Sequence, residues 1–170
     1  MLKEAVLEAK GIEEPKDFET LIELPLDAFI PGRYIPDEKT KLGIYKRIAA
    51  VSDKEEMEDM TEELTDRFGD PPRAVMNLLA IAYLKASARK VYINEIKTSG
   101  EEIRFNFDEN AHLASENIPE LLKRHEGRLR LVTRGGPYFL YKPGAVSDRR
   151  KGLTYELQMV VDSFNELLAL

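Results

Sequence analysis

The sequence has no cysteine and no tryptophan among its 170 residues, and only two histidines, His112 and His125. Without cysteine the chain has no disulfide framework, no thiolate metal ligand and no thiol nucleophile. No apolar run approaches the roughly 18 residues that a membrane-spanning helix needs. The first ten residues are amphipathic and do not resemble a signal peptide. We therefore expect a soluble protein that works in the cytoplasm and needs no disulfide.

Sequence motifs for catalysis and cofactor binding are also missing. The chain contains no GxxxxGK[ST] or GxGxxG phosphate loop, no GxSxG nucleophile elbow and no HExxH metal motif. Asp108-Glu109-Asn110 and Gly135-Gly136-Pro137 are typical of turns, and neither histidine has a ligand spacing. A hydrolase with unrecognised carboxylates has no positive feature in its favour. We expect no catalytic, cofactor or metal site and no small-molecule substrate.

The charge is unevenly distributed, although the net value is −6. Residues 1–119 carry 16 Lys+Arg against 25 Asp+Glu, whereas residues 120–151 carry 9 against 3. The overall acidity argues against a dedicated nucleic-acid-binding protein, which usually has a basic surface. The basic segment still leaves that function open as an alternative, through these residues: Lys123, Arg124, Arg128, Arg130, Arg134, Arg149, Arg150 and Lys151. The other interpretation of this segment is a polar sheet face followed by a charged loop.

Periodicity predicts an α+β fold, with a helical N-terminal half packed against a small antiparallel sheet of two hairpins and a C-terminal helix. Residues 1–20 are interpreted as a helix and linker from a preceding module, and 21–170 as one domain. Extended proline-rich chain at 20–36 precedes the helices. The predicted elements are helices at 37–51, 52–69, 72–89, 115–125 and 153–168, and strands at 91–96, 102–107, 128–133 and 138–141.

The helix at 52–69 is central to the prediction. Ser52 is expected to cap its N-terminus, with Glu55 completing a capping box, and Gly69 is expected to end it. The steps of three and four residues between the apolar positions predict one buried stripe. That stripe consists of Met57, Met60, Leu64 and Phe68.

The opposite face of this helix carries a surface that we call the acidic ridge, made of Asp59, Glu62, Glu63 and Asp66. Like charges this close destabilise a helix by about 0.2–0.5 kcal/mol per pair, so the ridge does not serve the helix itself. One interpretation is a solvated face that aids solubility. The other is a docking edge for a basic partner.

Three segments carry a resemblance to a known family: IPxxYIPD at 30–37, LxxYKRI at 42–48 and ELxDRFGDPP at 63–72. Together they resemble the C-terminal domain of the bacterial transcription-repair coupling factor, in order along about residues 20–168. The resemblance implies that the full-length protein is an ATP-dependent DNA translocase that uses ATP and Mg in its motor. That protein acts on stalled RNA polymerase and double-stranded DNA in nucleotide excision repair, and it recruits UvrA.

The resemblance also implies a role for this domain. It would dock on an N-terminal UvrB-like module of the same protein, mask the UvrA-binding surface and hold the protein inactive. Because Glu63 and Asp66 lie in the family-like segment and are expected to point outward, they are the foremost docking candidates, with Asp59 and Glu62 as neighbours. The implied domain is non-catalytic and contains no cofactor of its own.

Overall fold

The computed structural model describes residues 18–144 and 152–169. The predicted N-terminal helix, most of the predicted linker and the basic residues Arg149, Arg150 and Lys151 lie outside the described residues. Within them, the helices are α1 (Glu38–Ala49), α2 (Lys54–Phe68), α3 (Arg73–Lys90), α4 (Ile118–Arg124) and α5 (Gly152–Leu167). The strands are β1 (Leu21–Glu23), β2 (Ile93–Ser99), β3 (Glu102–Phe107), β4 (Leu129–Val132) and β5 (Tyr138–Tyr141). No helix in these ranges is long and apolar enough to cross a membrane.

The five strands form one sheet in the order β1-β2-β3-β5-β4. The two predicted hairpins, β2-β3 and β4-β5, are antiparallel and pair with each other through β3 and β5. The α+β class is therefore confirmed, but the sheet is mixed and not purely antiparallel. Strand β1 lies parallel to β2, with Leu21 opposite Glu95. Thr20 helps to hold this edge, since its hydroxyl donates a 2.7 Å hydrogen bond to the carbonyl of Ile93.

The buried apolar side chains form two clusters, and α3 contributes to both. Its first half supplies Val75 and Leu79 to a cluster with α1, α2 and the chain before them. Its second half supplies Leu84 and Ala88 to the cluster that α5 builds against the sheet. Helix α3 is thus the rigid element that joins the helical half to the sheet. The spacing of its apolar residues predicts only one buried stripe, made of Val75, Leu78, Leu79, Ala82 and Ala86. The structure corrects this prediction, because Leu84 and Ala88 are buried against the second cluster.

Other details of helix packing follow the prediction or correct it. The spacing of the apolar residues in α5 predicts that six of them face inward, and all six are buried: Leu157, Val160, Val161, Phe164, Leu167 and Leu168. On α1, by contrast, the apolar spacing predicts that Leu42 faces inward together with Tyr45, Ile48 and Ala49. In the structure Leu42 is 57% exposed, and Ile44 is buried instead. The difference arises because α1 packs through Ile44 and Ile48, one turn apart, and Leu42 lies outside that stripe.

Candidate docking surface

Helix α2 carries the acidic ridge, and its start is shifted by one residue from the prediction. Asp53, not Ser52, is the N-cap, and its Oδ1 accepts a 2.8 Å hydrogen bond from the amide of Glu56. The carboxylate of Glu56, not Glu55, reaches back and accepts bonds from the amide and the hydroxyl of Ser52. The carboxylate cap also interacts favourably with the positive end of the helix dipole.

The end of α2 is held by residues of the family-like segments. Gly69 has a φ of 87°, and its amide donates to the carbonyl of Thr65. The Tyr34 hydroxyl donates to the carbonyl of Gly69 at 2.8 Å and lies 3.2 Å from that of Leu64. The ring of Tyr34 packs against Phe68 with a centroid separation of 5.8 Å. These contacts fix the direction of α2 and therefore the direction in which the ridge points.

The predicted apolar stripe of α2 is confirmed. Met60 is 5% exposed and Leu64 is fully buried, and both belong to the helical cluster. Met57 and Phe68 are partly buried and pack against the same cluster. Because this stripe points inward, the opposite side of α2 must face solvent.

The structure places the four ridge residues in two different environments. Asp59, Glu62 and Asp66 are exposed, and in the described residues none of them takes part in an ion pair. Glu63 is half-buried and points toward α1. The expectation of a uniform outward ridge is therefore corrected at Glu63, while docking through these residues stays a prediction.

Glu63 is bound by two arginines of its own domain. The Arg47 guanidinium on α1 donates to both carboxylate oxygens, with Nη2 2.7 Å from Oε1 and Nη1 bound to Oε2. Arg67, one turn further along α2, donates to Oε2 at 3.2 Å. The hydrogen bond from Arg47, with a smaller contribution from Arg67, lowers the pKa of Glu63 to about 2. Arg67 also lies over the ring of Phe68, 4.8 Å from its centroid.

A shallow groove lies between α1 and α2, beside this ion-pair cluster. It has a volume of about 380 Å³, and Arg47, Asp59, Met60 and Glu63 are among the residues that line it. Two of the predicted docking acids therefore face the groove. A basic side chain entering it would meet Asp59 directly and would compete with Arg47 for Glu63.

The sequence carries one local signal for this ion-pair cluster. Glu63 and Arg67 are separated by four residues on one helix, the spacing of a helical ion pair. The contact with Arg47 had no such signal, because it joins two helices whose relative rotation is set by core packing.

Three arginines of the basic segment are paired with carboxylates of the same domain. The Arg124 guanidinium contacts Glu166 at 2.7 Å, and Arg130 contacts Glu102 at 2.9 Å. Arg128 lies 3.6 Å from Glu156. The remaining described basic residues of the segment, Lys123, Arg134 and Lys142, are exposed. Arg104 covers one face of Tyr138, since its guanidinium carbon lies 3.7 Å from the ring centroid, so that face is not free for stacking.

The side chains that could be considered for catalysis or metal binding, such as His125 and Asp108, make hydrogen bonds within the domain. His125 Nε2 lies 2.8 Å from the Ser163 hydroxyl, which donates to the carbonyl of Val160. Burial, with a smaller contribution from the charge of Arg124, lowers the pKa of His125. Asp108 accepts a hydrogen bond from the amide of Asn110, as in a turn. Among the described residues, no three His, Asp or Glu side chains are grouped so that they could hold a metal ion.

Comparison with known proteins gives consistent matches along the chain. A family model described as "TRCF domain" matches residues 24–118. The chain is 40% identical to the transcription-repair-coupling factor of Bacillus subtilis (strain 168) over 112 residues, which is 65% of this chain and 10% of that protein. It is 40% identical to that of Staphylococcus haemolyticus (strain JCSC1435) over 126 residues, 73% of this chain and 11% of that protein. The chain thus spans about a tenth of the length of the curated relatives that it matches.

A solved structure has the same fold. It is described as the crystal structure of the C-terminal domain of transcription-repair coupling factor, and it matches with a TM-score of 0.75 at 23% identity. The match covers 88% of this chain and 93% of that chain. At this identity the likeness concerns the fold alone.

Proposed function

Since the chain belongs to the TRCF domain family, as the C-terminal domain of a transcription-repair coupling factor, we propose that it is a non-catalytic domain that holds the whole protein inactive. In this proposal it docks on an N-terminal UvrB-like module of the same protein and masks the surface that binds UvrA. Release of the domain exposes that surface at a stalled RNA polymerase.

The activity of the whole protein is part of the same proposal. We infer an ATP-dependent translocase on double-stranded DNA, which works in the cytoplasm in transcription-coupled nucleotide excision repair. The names of the relatives support this inference. The motor would supply the sites for ATP and Mg, since this chain has no phosphate-binding loop in its sequence.

One observation gives the main support for the proposed docking role. Three exposed acids on α2 have no ion-pair partner in the described part of the chain. Asp59, Glu62 and Asp66 lie on the side of α2 that faces away from the core. They follow one another at steps of three and four residues, so they share one side of the helix. No ion pair with another described residue offsets their mutual repulsion, and a basic surface of another module would offset it.

Glu63 contributes to this surface in a different way from the other three acids. Its carboxylate is held in place by Arg47 and Arg67, so its position is defined before any partner arrives. A basic side chain of the partner would share the carboxylate with these arginines, or replace one of them. Glu63 is therefore a preorganised contact, whereas the three other acids have no ion-pair partner in residues 18–144 and 152–169.

The strength of such a contact suits a domain that must open. Each exposed ion pair contributes about 0.2–1 kcal/mol, so three or four pairs give a few kcal/mol at most. A closed state favoured by that amount can be displaced by a partner that binds only the open state. A tightly packed apolar interface would resist release.

The test is charge reversal in the intact protein, with UvrA binding as the readout. Glu62→Arg with Asp66→Arg reverses the charge of two exposed acids and leaves the Arg47–Glu63–Arg67 cluster intact. We expect this variant to bind UvrA more tightly than the unmodified protein. Glu63→Arg with Asp66→Arg should show the same direction, but it also places three arginines together and needs a parallel stability measurement.

The matched control is Glu101→Arg with Glu116→Arg, which makes the same change in net charge at two exposed positions outside α2. The control should bind UvrA like the unmodified protein. Unchanged UvrA binding in the Glu62/Asp66 variant, with the fold intact by circular dichroism, would refute docking through the acidic ridge. An equal gain in the control would assign the effect to net charge.

A further inference from the structure

The groove between α1 and α2 holds a cation as well as acids. Arg47 lines it, and its guanidinium donates to both carboxylate oxygens of Glu63, with Nη2 2.7 Å from Oε1. The side chain of Arg47 is 51% exposed and that of Glu63 is 34% exposed. Because the pair is open to solvent, a side chain from outside the domain can approach the carboxylate that Arg47 binds.

The two arginines that bind Glu63 differ in their geometry. Arg67 lies one turn along the same helix, contacts Oε2 at 3.2 Å and also lies over the ring of Phe68. Arg47 comes from the other helix and presents two donors to two acceptors, the arrangement that makes arginine–carboxylate pairs strong and geometrically specific. An arginine from another module that makes the same two-oxygen contact must therefore displace Arg47 from it.

Arg47 also changes the electrostatic balance of this surface. The acidic ridge carries four negative charges, and Arg47 and Arg67 place two positive charges beside Glu63. Loss of the Arg47 charge changes the net charge of these six residues from −2 to −3. Charges of the same sign a few ångströms apart are only partly screened by salt, so Arg47 repels a cation that enters the groove.

We propose that Arg47 is an internal competitor of the docking partner: it binds Glu63 in the released domain, and it gives up part of that contact when an arginine or lysine of the partner module binds. The inference rests on the proposed docking function and adds a means of regulating it. Arg47 then sets how weak the docked state is. A docked state weakened in this way is displaced by a partner with a smaller preference for the released state.

The experiment replaces Arg47 in the intact protein and uses UvrA binding as the readout of the released state. Arg47→Met removes the charge and the donors but keeps much of the apolar stem. We expect this variant to dock more tightly, so that its affinity for UvrA falls about two- to fivefold. Arg47→Lys keeps the charge and loses the two-donor geometry, so it should change the affinity in the same direction but by less.

A double-mutant cycle separates competition for Glu63 from a general effect of charge. In the Glu63→Gln background Arg47 has no carboxylate to hold, so Arg47→Met should lower the affinity for UvrA less than it does in the unmodified protein. An equal loss in both backgrounds would overturn the proposal and assign the effect to the net charge of the surface. Circular dichroism checks that each variant is folded.

The matched control is Arg134→Met, which makes the same change in net charge at an exposed position between β4 and β5. It should bind UvrA like the unmodified protein, and a loss equal to that of Arg47→Met would contradict the proposal.

Glu62→Arg with Asp66→Arg distinguishes failure of this inference from failure of the docking function. If that variant binds UvrA more tightly while Arg47→Met leaves UvrA binding unchanged or raises it, docking stands and the role of Arg47 is refuted. If neither variant changes UvrA binding, both the docking surface and its internal competitor are refuted.

Discussion

The Glu63 carboxylate on α2 accepts hydrogen bonds through both oxygens from the Arg47 guanidinium on α1, a residue 16 positions earlier in the chain. This bidentate contact joins the outer sides of α1 and α2, whose inner sides pack into one apolar cluster. It also distinguishes Glu63 from the other ridge acids, which form no ion pair with an arginine or lysine among the described residues. The pair is therefore both a brace between two helices and part of the proposed docking surface.

The first prediction concerns the pH dependence of this pair. The folded-state pKa of Glu63, about 2, lies below its ordinary value of 4.5, so its contribution to stability is present above pH 4.5 and is lost as the pH falls toward 2. Because the side chain is 34% exposed, solvent screens the pair, and we expect Glu63→Gln to cost only about 0.5–1 kcal/mol at pH 7. Urea denaturation of both proteins at a series of pH values measures this difference.

The control for this prediction is Glu62→Gln, an exposed neighbour with no ion pair among the described residues. Its stability should stay within about 0.5 kcal/mol of the unmodified protein at every pH. A Glu63→Gln difference that stays constant as the pH falls from 5 to 2.5, measured where both proteins still fold, would contradict the assigned pair.

The second prediction concerns the C-terminal end of α2. Gly69 has a φ of 87° and a ψ of −175°, a region that residues with a side chain rarely adopt. No atom lies within 4 Å of the position that an added Cβ would take, so the cost of Gly69→Ala comes from backbone strain, about 1–3 kcal/mol. Thermal or urea denaturation measures the loss.

For Gly43, in the middle of α1, we expect a substitution by alanine to have the opposite effect on stability. It has ordinary helical geometry and equally open space around its Cα. Gly43→Ala should therefore stabilise the domain by about 0.5–1 kcal/mol, since glycine is a poor helix former. If the two substitutions changed stability in the same direction, the backbone explanation would be wrong.

The third prediction concerns the basic segment. Since Arg124, Arg128 and Arg130 each lie against a carboxylate and the chain has a net charge of −6, we expect no salt-sensitive DNA binding at micromolar concentrations. Anisotropy titrations with labelled duplex and single-stranded DNA, at low and moderate salt, test this directly. Binding that weakens steeply with salt, and that Lys123→Glu with Arg134→Glu removes, would restore the nucleic-acid interpretation.

Local patterns in the sequence were sufficient to predict most of the helices and strands. The period of the apolar residues placed α2 and α5 and their buried stripes, and the turn residues placed both hairpins. These features depend on neighbours within a few positions, so the chain encodes them locally. The N-cap was missed by one residue because Ser52 and Asp53 are both good capping residues, and the choice depends on where the preceding loop enters.

The class of the fold, the apolar stripe of α2 and the grouping of the four ridge acids follow from local spacing, because periods of 2 and 3.6 residues fix which side chains share a face. The three-dimensional structure was needed to show that β1 joins β2 in parallel and that α3 contributes to two apolar clusters. It was also needed to show that Glu63 pairs with Arg47, while Asp66 has no ion pair among the described residues. These relationships join segments distant in the chain, and they depend on how the helices rotate and pack, which no local spacing specifies.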